Sequence, residues 1–253
     1  METDNIAQRG NRTNDAGNMN VSVLISSFNR LKYFINTWQT IKDQLIEGDE
    51  LVVVEDGIEK GWNGYLLSLG VKYKLVETGN EIYRSGVIPK NIALKLAENP
   101  IIIINDPEVM HISKCITVFR EFLKERRAFV VPGTLYSGRH EGQGIQGSTK
   151  MENSQAPFVG GCLREDLMEI GGWDERFKYW GNDDNDLMHR LGMNQVRHIV
   201  VPELEIFHQW HDRPPAQAMG DYNEPLLYEE NKQAVANKGK EWGVIQGSYY
   251  ENG

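Results

Sequence analysis

The sequence contains little cysteine and no long apolar run. Only two cysteines occur in 253 residues, Cys115 and Cys162. Two distant thiols exclude a disulfide framework, so we expect both to be small buried residues of a cytoplasmic protein. No stretch approaches the ~20 consecutive apolar residues that a membrane span needs. Residues 1–20 are polar and lack the apolar segment of a signal peptide, so we expect a disordered tail there.

Positive charge is also scarce. The chain has 27 Lys and Arg against 36 Asp and Glu, a formal net charge of −9. This balance argues against nucleic acid or an anionic membrane as the main partner, because both require clustered basic residues. The glycine fingerprints of dinucleotide and P-loop sites are absent, so hydride transfer and ATP hydrolysis fit poorly. The hydrophobic content of 40% is ordinary for a globular protein, and we expect one domain over 21–253.

Strand and helix patterns alternate in the first half of the chain, which predicts an α/β fold with a mostly parallel sheet. The rest of the chain continues this pattern, with a long unpatterned loop at 137–156. Predicted strands cover 21–26, 51–54, 71–76, 101–104, 128–131, 196–201 and 204–207, and predicted helices cover 31–46, 62–69, 91–98, 112–124 and 226–236.

Polar side chains follow three of the predicted strands. Ser27, Asn29 and Arg30 follow the first strand, Asp56 follows the second, and the turn at 105–108 follows the strand at 101–104. Any one of them alone is most simply explained as the end of a strand. Because parallel strands present their carboxyl ends at one edge, where ligands bind in such folds, their joint occurrence favours a binding site.

Two carboxylates and two histidines form a candidate metal site. Asp106 and Glu108 flank a proline, so both can face one side of a tight turn. His208 and His211 follow another predicted strand, although a lone histidine is more often an ordinary hydrogen-bonded residue. Paired oxygens suit Mg²⁺ or Mn²⁺, and an added imidazole favours Mn²⁺.

The segment 171–190 leads from a glycine- and aromatic-rich loop into an acidic helix start. On a helical projection, Asp184 falls within the apolar arc and should point into the protein, whereas Asp186 should be solvated and paired with Arg190. An inward carboxylate is costly unless it is paired or functional, so Asp184 is either a satisfied buried cap or a reactive group.

These groups can cooperate in one reaction. Asp56 could accept a hydrogen bond from a nucleobase. Arg84, Lys90 and a metal would suit the phosphates of a nucleoside diphosphate. Asp184 could then act as the general base on an incoming hydroxyl. The pattern therefore indicates group transfer from a nucleotide-activated donor.

The ordered set of motifs resembles the GT-A glycosyltransferases, especially the family 2 enzymes, the β-1,4-galactosyltransferases and the polypeptide GalNAc-transferase catalytic domains. The resemblance extends from Val21 to about Glu224 and depends on the set rather than on any single motif. The matching segments are the nucleotide loop at 21–30, the uracil-contacting strand end at 53–57, Lys90 with Asn91, the Asp-X-Asp position at 106–108, the paired motifs at 171–175 and 180–184, and His208 with His211.

This resemblance implies an inverting transferase that uses a UDP-sugar, Mn²⁺ or Mg²⁺, and a saccharide or other hydroxyl-bearing acceptor. It implies that Asp184 is the base, that Asp183 holds the acceptor, and that Trp180 closes over both substrates unless it is a core aromatic. Residues 212–253 would form a lid loop and a C-terminal helix. Glu108 and Asp183 depart from the family pattern, which has Asp and Glu there, respectively.

The implied metal ligands are Asp106, Glu108 and His211, with His208 as a further ligand in some members. The implied donor-binding residues are Ser27, Asn29, Arg30, Asp56, Arg84, Lys90 and Trp180. Three other functions remain open from the sequence: a retaining transferase, a nucleotide- or carbohydrate-binding protein without turnover, and a two-metal hydrolase.

Overall fold

The computed structural model describes residues 19–152, 158–212, 219–230 and 232–252. The disordered tail expected over 1–20 therefore lies almost wholly outside the described residues. Within the described part of the chain, no helix is long and apolar enough to cross a bilayer.

The first half alternates strands and helices as predicted. β1 pairs in parallel with β2 and β4, and β2 pairs in parallel with β3. The carboxyl ends of these four strands therefore lie at one edge of the sheet. The elements are β1 (Val21–Ser27), α1 (Leu31–Ile41), a 3₁₀ turn (Lys42–Gln44), β2 (Glu50–Glu55), α2 (Trp62–Ser68), β3 (Lys72–Glu77), α3 (Val87–Leu96) and β4 (Ile101–Asn105).

The second half extends the same sheet but mixes strand directions. The elements are β5 (Val109–His111), α4 (Cys115–Glu125), β6 (Ala128–Ser137), β7 (Thr149–Glu152), β8 (Val159–Leu163), α5 (Arg164–Glu169), α6 (Asp183–Met193), β9 (Arg197–His208), α7 (Met219–Leu227) and β10 (Ser248–Asn252). The strand order is β10-β3-β2-β1-β4-β8-β6-β9-β5, with β7 paired to β6. β8 runs antiparallel to both β4 and β6, so the sheet is parallel in its first half and mixed in its second.

Several predicted elements differ from the structure. The strands expected at 196–201 and 204–207 are one strand, β9, and the loop expected at 137–156 contains β7. The prediction of a helix at 226–236 was wrong, because the helix of this region is α7, which ends at Leu227. β10 was not predicted; it pairs with β3, a long-range contact that local periodicity does not reveal.

A bulge explains why β9 continues through a proline. The register between β6 and β9 shifts between Pro132 and Thr134. Gly133 lies there, and a Cβ at this position would approach the Cα of Pro202 to 2.5 Å. Because glycine permits this close approach, β6 and β9 remain paired around Pro202, which has no backbone N–H to donate to the ladder.

The two faces of the sheet are covered by separate apolar clusters. One contains Phe34, Trp62 and Phe119, and the other contains Trp173 and Phe177. The last two were expected to be packing residues and are 0% and 1% exposed, respectively. The two cysteines are also buried, as expected.

Asp186 on α6 does not lie in solvent as predicted. It is 0% exposed, and it forms ion pairs with Arg190, at 2.7 Å, and with Lys232. Arg190 also donates to the carbonyl oxygens of Ile170, at 3.0 Å, and Gly172, at 2.7 Å. The apolar pattern misplaced the inward face of α6 because these charges satisfy one another and can therefore occupy the core.

We expect Asp186→Ala to destabilise the protein by about 3–5 kcal/mol, because it leaves two buried cations without their shared carboxylate. Urea unfolding would measure this loss. Asn185→Ala, at the exposed neighbouring position, should change the unfolding free energy by less than about 0.5 kcal/mol. Equal effects of the two substitutions would contradict a structural role for Asp186.

Candidate active site at the carboxyl edge of the sheet

Asp56, directly after β2, forms a polar pocket with groups beyond β3. Its carboxylate is 1% exposed, and Oδ1 accepts hydrogen bonds from Thr78 Oγ1 (2.8 Å), Asn80 Nδ2 (2.8 Å) and Arg84 Nη2 (3.1 Å). Oδ2 is buried and has no hydrogen-bond partner among the described residues. A buried carboxylate oxygen without a partner is costly, so Oδ2 is available to a ligand that donates a hydrogen bond.

Ser27 and Asn29 hold together the loop after β1. Ser27 Oγ donates to Glu55 Oε2 at 2.6 Å, and Asn29 N donates to Glu55 Oε1 at 2.9 Å. Asn29 Oδ1 also accepts from the backbone N–H groups of Ile58 and Glu59. The sequence analysis missed Glu55 as the centre of this loop, and contact of Ser27 or Asn29 with a ligand stays a prediction.

Glu108, His208 and His211 converge on one point. One ligand atom from each lies within 4.8 Å of the others. Glu108 Oε1 lies 3.0 Å from His211 Nε2 and 3.8 Å from His208 Nε2. Burial alone would raise the pKa of Glu108, but the hydrogen bond from His211 and the two nearby rings hold it below its ordinary value. One carboxylate and two imidazoles fit a divalent transition metal.

Gln209, which the sequence analysis missed, connects the end of β9 to the turn that carries Glu108. It is buried, and its side-chain amide donates to Glu108 O and Tyr33 O, each at 3.1 Å. Its backbone N–H also donates to Glu108 O at 3.0 Å. These bonds fix the end of β9 against the turn that carries Glu108. Only the neighbouring histidines could have indicated Gln209 in the sequence.

Asp106 lies outside this group of three ligand atoms, and its coordination of a metal stays a prediction. Burial, followed by the negative charge of Glu108, raises the pKa of Asp106 well above its ordinary value, and Lys90 opposes this shift. Asp183 and Asp184 act on Asp106 in the same direction as Glu108. The carboxylates at this edge therefore repel one another, and a divalent cation would reduce that repulsion.

Arg30 lies against the outer side of His211. Its Nη2 is 2.9 Å from His211 Nδ1 and donates to Asp212 O at 2.9 Å. The ring of Tyr33 packs under the guanidinium, 5.6 Å from Cζ to the centroid, and meets the His211 ring edge to face. Arg30, predicted to bind the donor, therefore contacts a candidate metal ligand in this structure.

Asp183 and Asp184 begin α6 and share one cation. Lys90 Nζ lies 3.1 Å from Asp183 Oδ2 and 3.0 Å from Asp184 Oδ1. The side chain of Asp184 is 28% exposed, so it is only partly buried, whereas the sequence predicted that it would point into the protein. Burial raises the pKa of Asp184, whereas Lys90 opposes that shift. Burial lowers the pKa of Lys90, but the two aspartates outweigh it and raise that pKa well above its ordinary value.

Trp180 lies on the loop before α6 and is 41% exposed, which excludes the core-aromatic interpretation. Asn223 holds this loop: its Nδ2 donates to Lys178 O and Gly181 O, each at 2.8 Å, and its Oδ1 accepts from Lys178 N at 3.1 Å. Asn223 was expected in the lid and is 1% exposed, whereas residues 213–218 of that expected lid lie outside the described chain.

Comparisons with known proteins agree with this architecture. Residues 148–213, which include Asp184, His208 and His211, match a sequence family described as the N-terminal domain of galactosyltransferase. A comparison with curated proteins gives no match.

Solved structures similar to the chain include GalNAc-T7 with UDP, GalNAc and Mn²⁺, with a TM-score of 0.60 and 14% identity over 83% of this chain. S. aureus TarS 1–349 in complex with UDP-GlcNAc gives a TM-score of 0.60 and 16% identity over 81%. A mannosyltransferase from Pyrobaculum calidifontis with GDP-Man and Mn²⁺ gives 0.57 and 17% over 77%.

The match covers 48%, 64% and 58% of these three chains, respectively, so this chain spans roughly half to under two thirds of their length. The likenesses show that it has the GT-A fold, which confirms the fold expected from the sequence.

We expect His211→Ala to weaken binding of Mn²⁺ at least about tenfold, because it removes one of three converging ligands. Isothermal titration calorimetry with Mn²⁺ would measure the change. His140→Ala, which removes an exposed histidine elsewhere, is the matched control and should leave the affinity unaltered. The same affinity in the two variants would show that His211 is not a ligand.

Proposed function

We propose that this protein is a metal-dependent glycosyltransferase that moves a sugar from a UDP-sugar to an acceptor hydroxyl with inversion at the anomeric carbon. The observation that carries the proposal is the position of Asp184. It is an accessible carboxylate at a helix start, paired with Lys90, whose charge also acts on Asp106 beside the triad of Glu108, His208 and His211.

The donor side of the proposal depends on two sets of groups. Asp56 Oδ2 can accept the N–H of a uracil ring, since its other oxygen is already saturated by three donors. Glu108, His208 and His211, joined by Asp106, would hold Mn²⁺. When bound, the metal supplies positive charge that stabilises the departing diphosphate. The ligands named for GalNAc-T7 and TarS, UDP and UDP-GlcNAc, favour a uridine donor here.

The acceptor side depends on Asp184. In the proposed step, the acceptor oxygen attacks the anomeric carbon from the face opposite UDP, the bond from that carbon to the diphosphate breaks, and the hydroxyl proton passes to Asp184. A carboxylate whose pKa is raised by burial is a better base than a solvated one. Lys90 lowers the pKa of this carboxylate and so opposes its early protonation, and Asp183 is the second carboxylate bound to Lys90.

The stereochemistry of the product tests this proposal directly. NMR analysis of the first-formed glycoside should show the anomeric configuration opposite to that of the donor sugar. Retention of configuration would contradict the role of Asp184 as the base, and release of free sugar independent of any acceptor would support a hydrolase instead.

We expect Asp184→Asn to lower kcat by about 10²–10⁴-fold, because an amide cannot take the acceptor proton. UDP binding, measured by calorimetry, should stay within about twofold of the wild-type value, since Asp184 is placed on the acceptor side. The stability of this variant provides the control for folding. Near-normal turnover would rule out this base assignment.

The ion pair with Lys90 predicts a change in pH dependence. Lys90→Met removes the cation that lowers the pKa of Asp184, so that pKa should rise further. Because the base acts in its deprotonated form, the acidic limb of the kcat/KM profile should move to higher pH. An unchanged or lower midpoint of that limb would mean that a different group controls it.

A further inference from the structure

Nδ1 of His211 has two neighbours with opposite hydrogen-bonding requirements. Nδ1 lies 2.9 Å from Nη2 of Arg30, which can only donate, and 2.9 Å from the backbone oxygen of Asp212, which can only accept. A ring nitrogen either accepts through its lone pair or donates its hydrogen. The neutral ring of His211 therefore bonds through Nδ1 either to Arg30 or to Asp212, and the two arrangements place its single proton on different nitrogens.

Arg30 and Glu108 favour the same arrangement. If Nδ1 accepts from Arg30, the proton of the neutral ring lies on Nε2, and Nε2 faces the Glu108 carboxylate oxygen at 3.0 Å. Each nitrogen then has a charged partner of the right kind, and hydrogen bonds to charged groups are the stronger ones. The Tyr33 ring adds a cation–π contact to Arg30, with Cζ 5.6 Å from the ring centroid.

A metal requires the other arrangement. Coordination through Nε2 uses its lone pair, so the proton must lie on Nδ1, where it can donate to Asp212 O. An N–H at Nδ1 would point at the N–H of Arg30, and this contact would be repulsive. Metal-ligating histidines commonly donate their second N–H to a backbone carbonyl, and Asp212 supplies one here.

We propose that Arg30 is a latch on His211: it holds the ring in the form that cannot coordinate a metal, and metal binding breaks its contact with Nδ1, which leaves the guanidinium with its bond to Asp212 O alone. This proposal rests on the proposed function, in which His211 is a metal ligand. The freed guanidinium is suited to the two phosphates of a nucleoside diphosphate, for which arginine has the matching planar donor geometry.

The latch makes the binding of the metal and the binding of the diphosphate positively coupled. A diphosphate that draws Arg30 away frees Nδ1 for its proton, which favours metal binding at Nε2. Because such coupling is reciprocal, metal binding favours the diphosphate by the same factor. This contribution is separate from direct contact of the metal with phosphate oxygens, since it acts through the protein alone.

The test uses metal without nucleotide. We expect Arg30→Met to bind Mn²⁺ about tenfold more tightly than the wild type in calorimetry, the equivalent of one hydrogen bond to a charged group. Lys32→Met is the matched control: it removes one positive charge two residues away, at a side chain paired with Glu141 rather than with His211. It should change the affinity by less than about threefold.

A second measurement needs no variant. Nitrogen-15 NMR of the histidine rings should show His211 protonated on Nε2 in the metal-free protein and on Nδ1 after addition of Zn²⁺, a diamagnetic substitute. A proton on Nδ1 before metal is added would overturn the latch. Affinities for Mn²⁺ that are equal in the wild type and Arg30→Met, or raised as much by Lys32→Met, would overturn it as well.

These outcomes separate the latch from the proposed function. If the wild type binds Mn²⁺ and Arg30→Met binds it no better, only the latch is wrong and the metal site stands. If neither protein binds Mn²⁺ or Zn²⁺, the metal site of the proposed function fails, and the latch fails with it.

Discussion

The site depends on an excess of negative charge gathered at one edge of the sheet. Asp106, Glu108, Asp183 and Asp184 act on one another there, and Lys90 lies among them in contact with two. Lys90 contacts only Asp183 and Asp184, and burial raises the cost of a charged Asp106 beside Glu108. This arrangement is one that a divalent cation stabilises, and it explains why a protein with an acidic net charge can still bind the anionic donor that we propose.

Two carboxylates that lie two residues apart on α6 occupy different environments. Asp186 is buried in the core with Arg190, whereas Asp184 is partly exposed and paired with Lys90. Apolar periodicity predicted the reverse, because it treats charged residues as solvated and cannot anticipate a buried pair. The observed arrangement suits the role that we propose for Asp184 better than the predicted one. A general base must be reached by its substrate, and a helix start holds it in place.

Local patterns predicted the parts of the molecule that local forces determine. The first four strands, the helices between them and the polar residues at the strand ends follow from apolar periodicity and from the geometry of parallel sheets. The pairing of β10 with β3 and the bonds of Thr78 and Asn80 to Asp56 depend on residues distant in the chain. The convergence of Glu108 with His208 and His211 was expected because all three follow strands whose carboxyl ends lie at one edge of the sheet. Only the neighbouring histidines pointed to Gln209, since an amide gives no chemical signal of its partners.

Arg84 connects the two parts of the site. Arg84 bonds to Asp56 through its side chain and to Tyr179 through its carbonyl oxygen, at 2.7 Å, so the pocket after β2 is tied to the loop that carries Trp180. Asn223 holds the same loop from the other side. Arg84 therefore connects the proposed donor pocket to the loop before α6, which carries the proposed acceptor side, through a continuous set of hydrogen bonds.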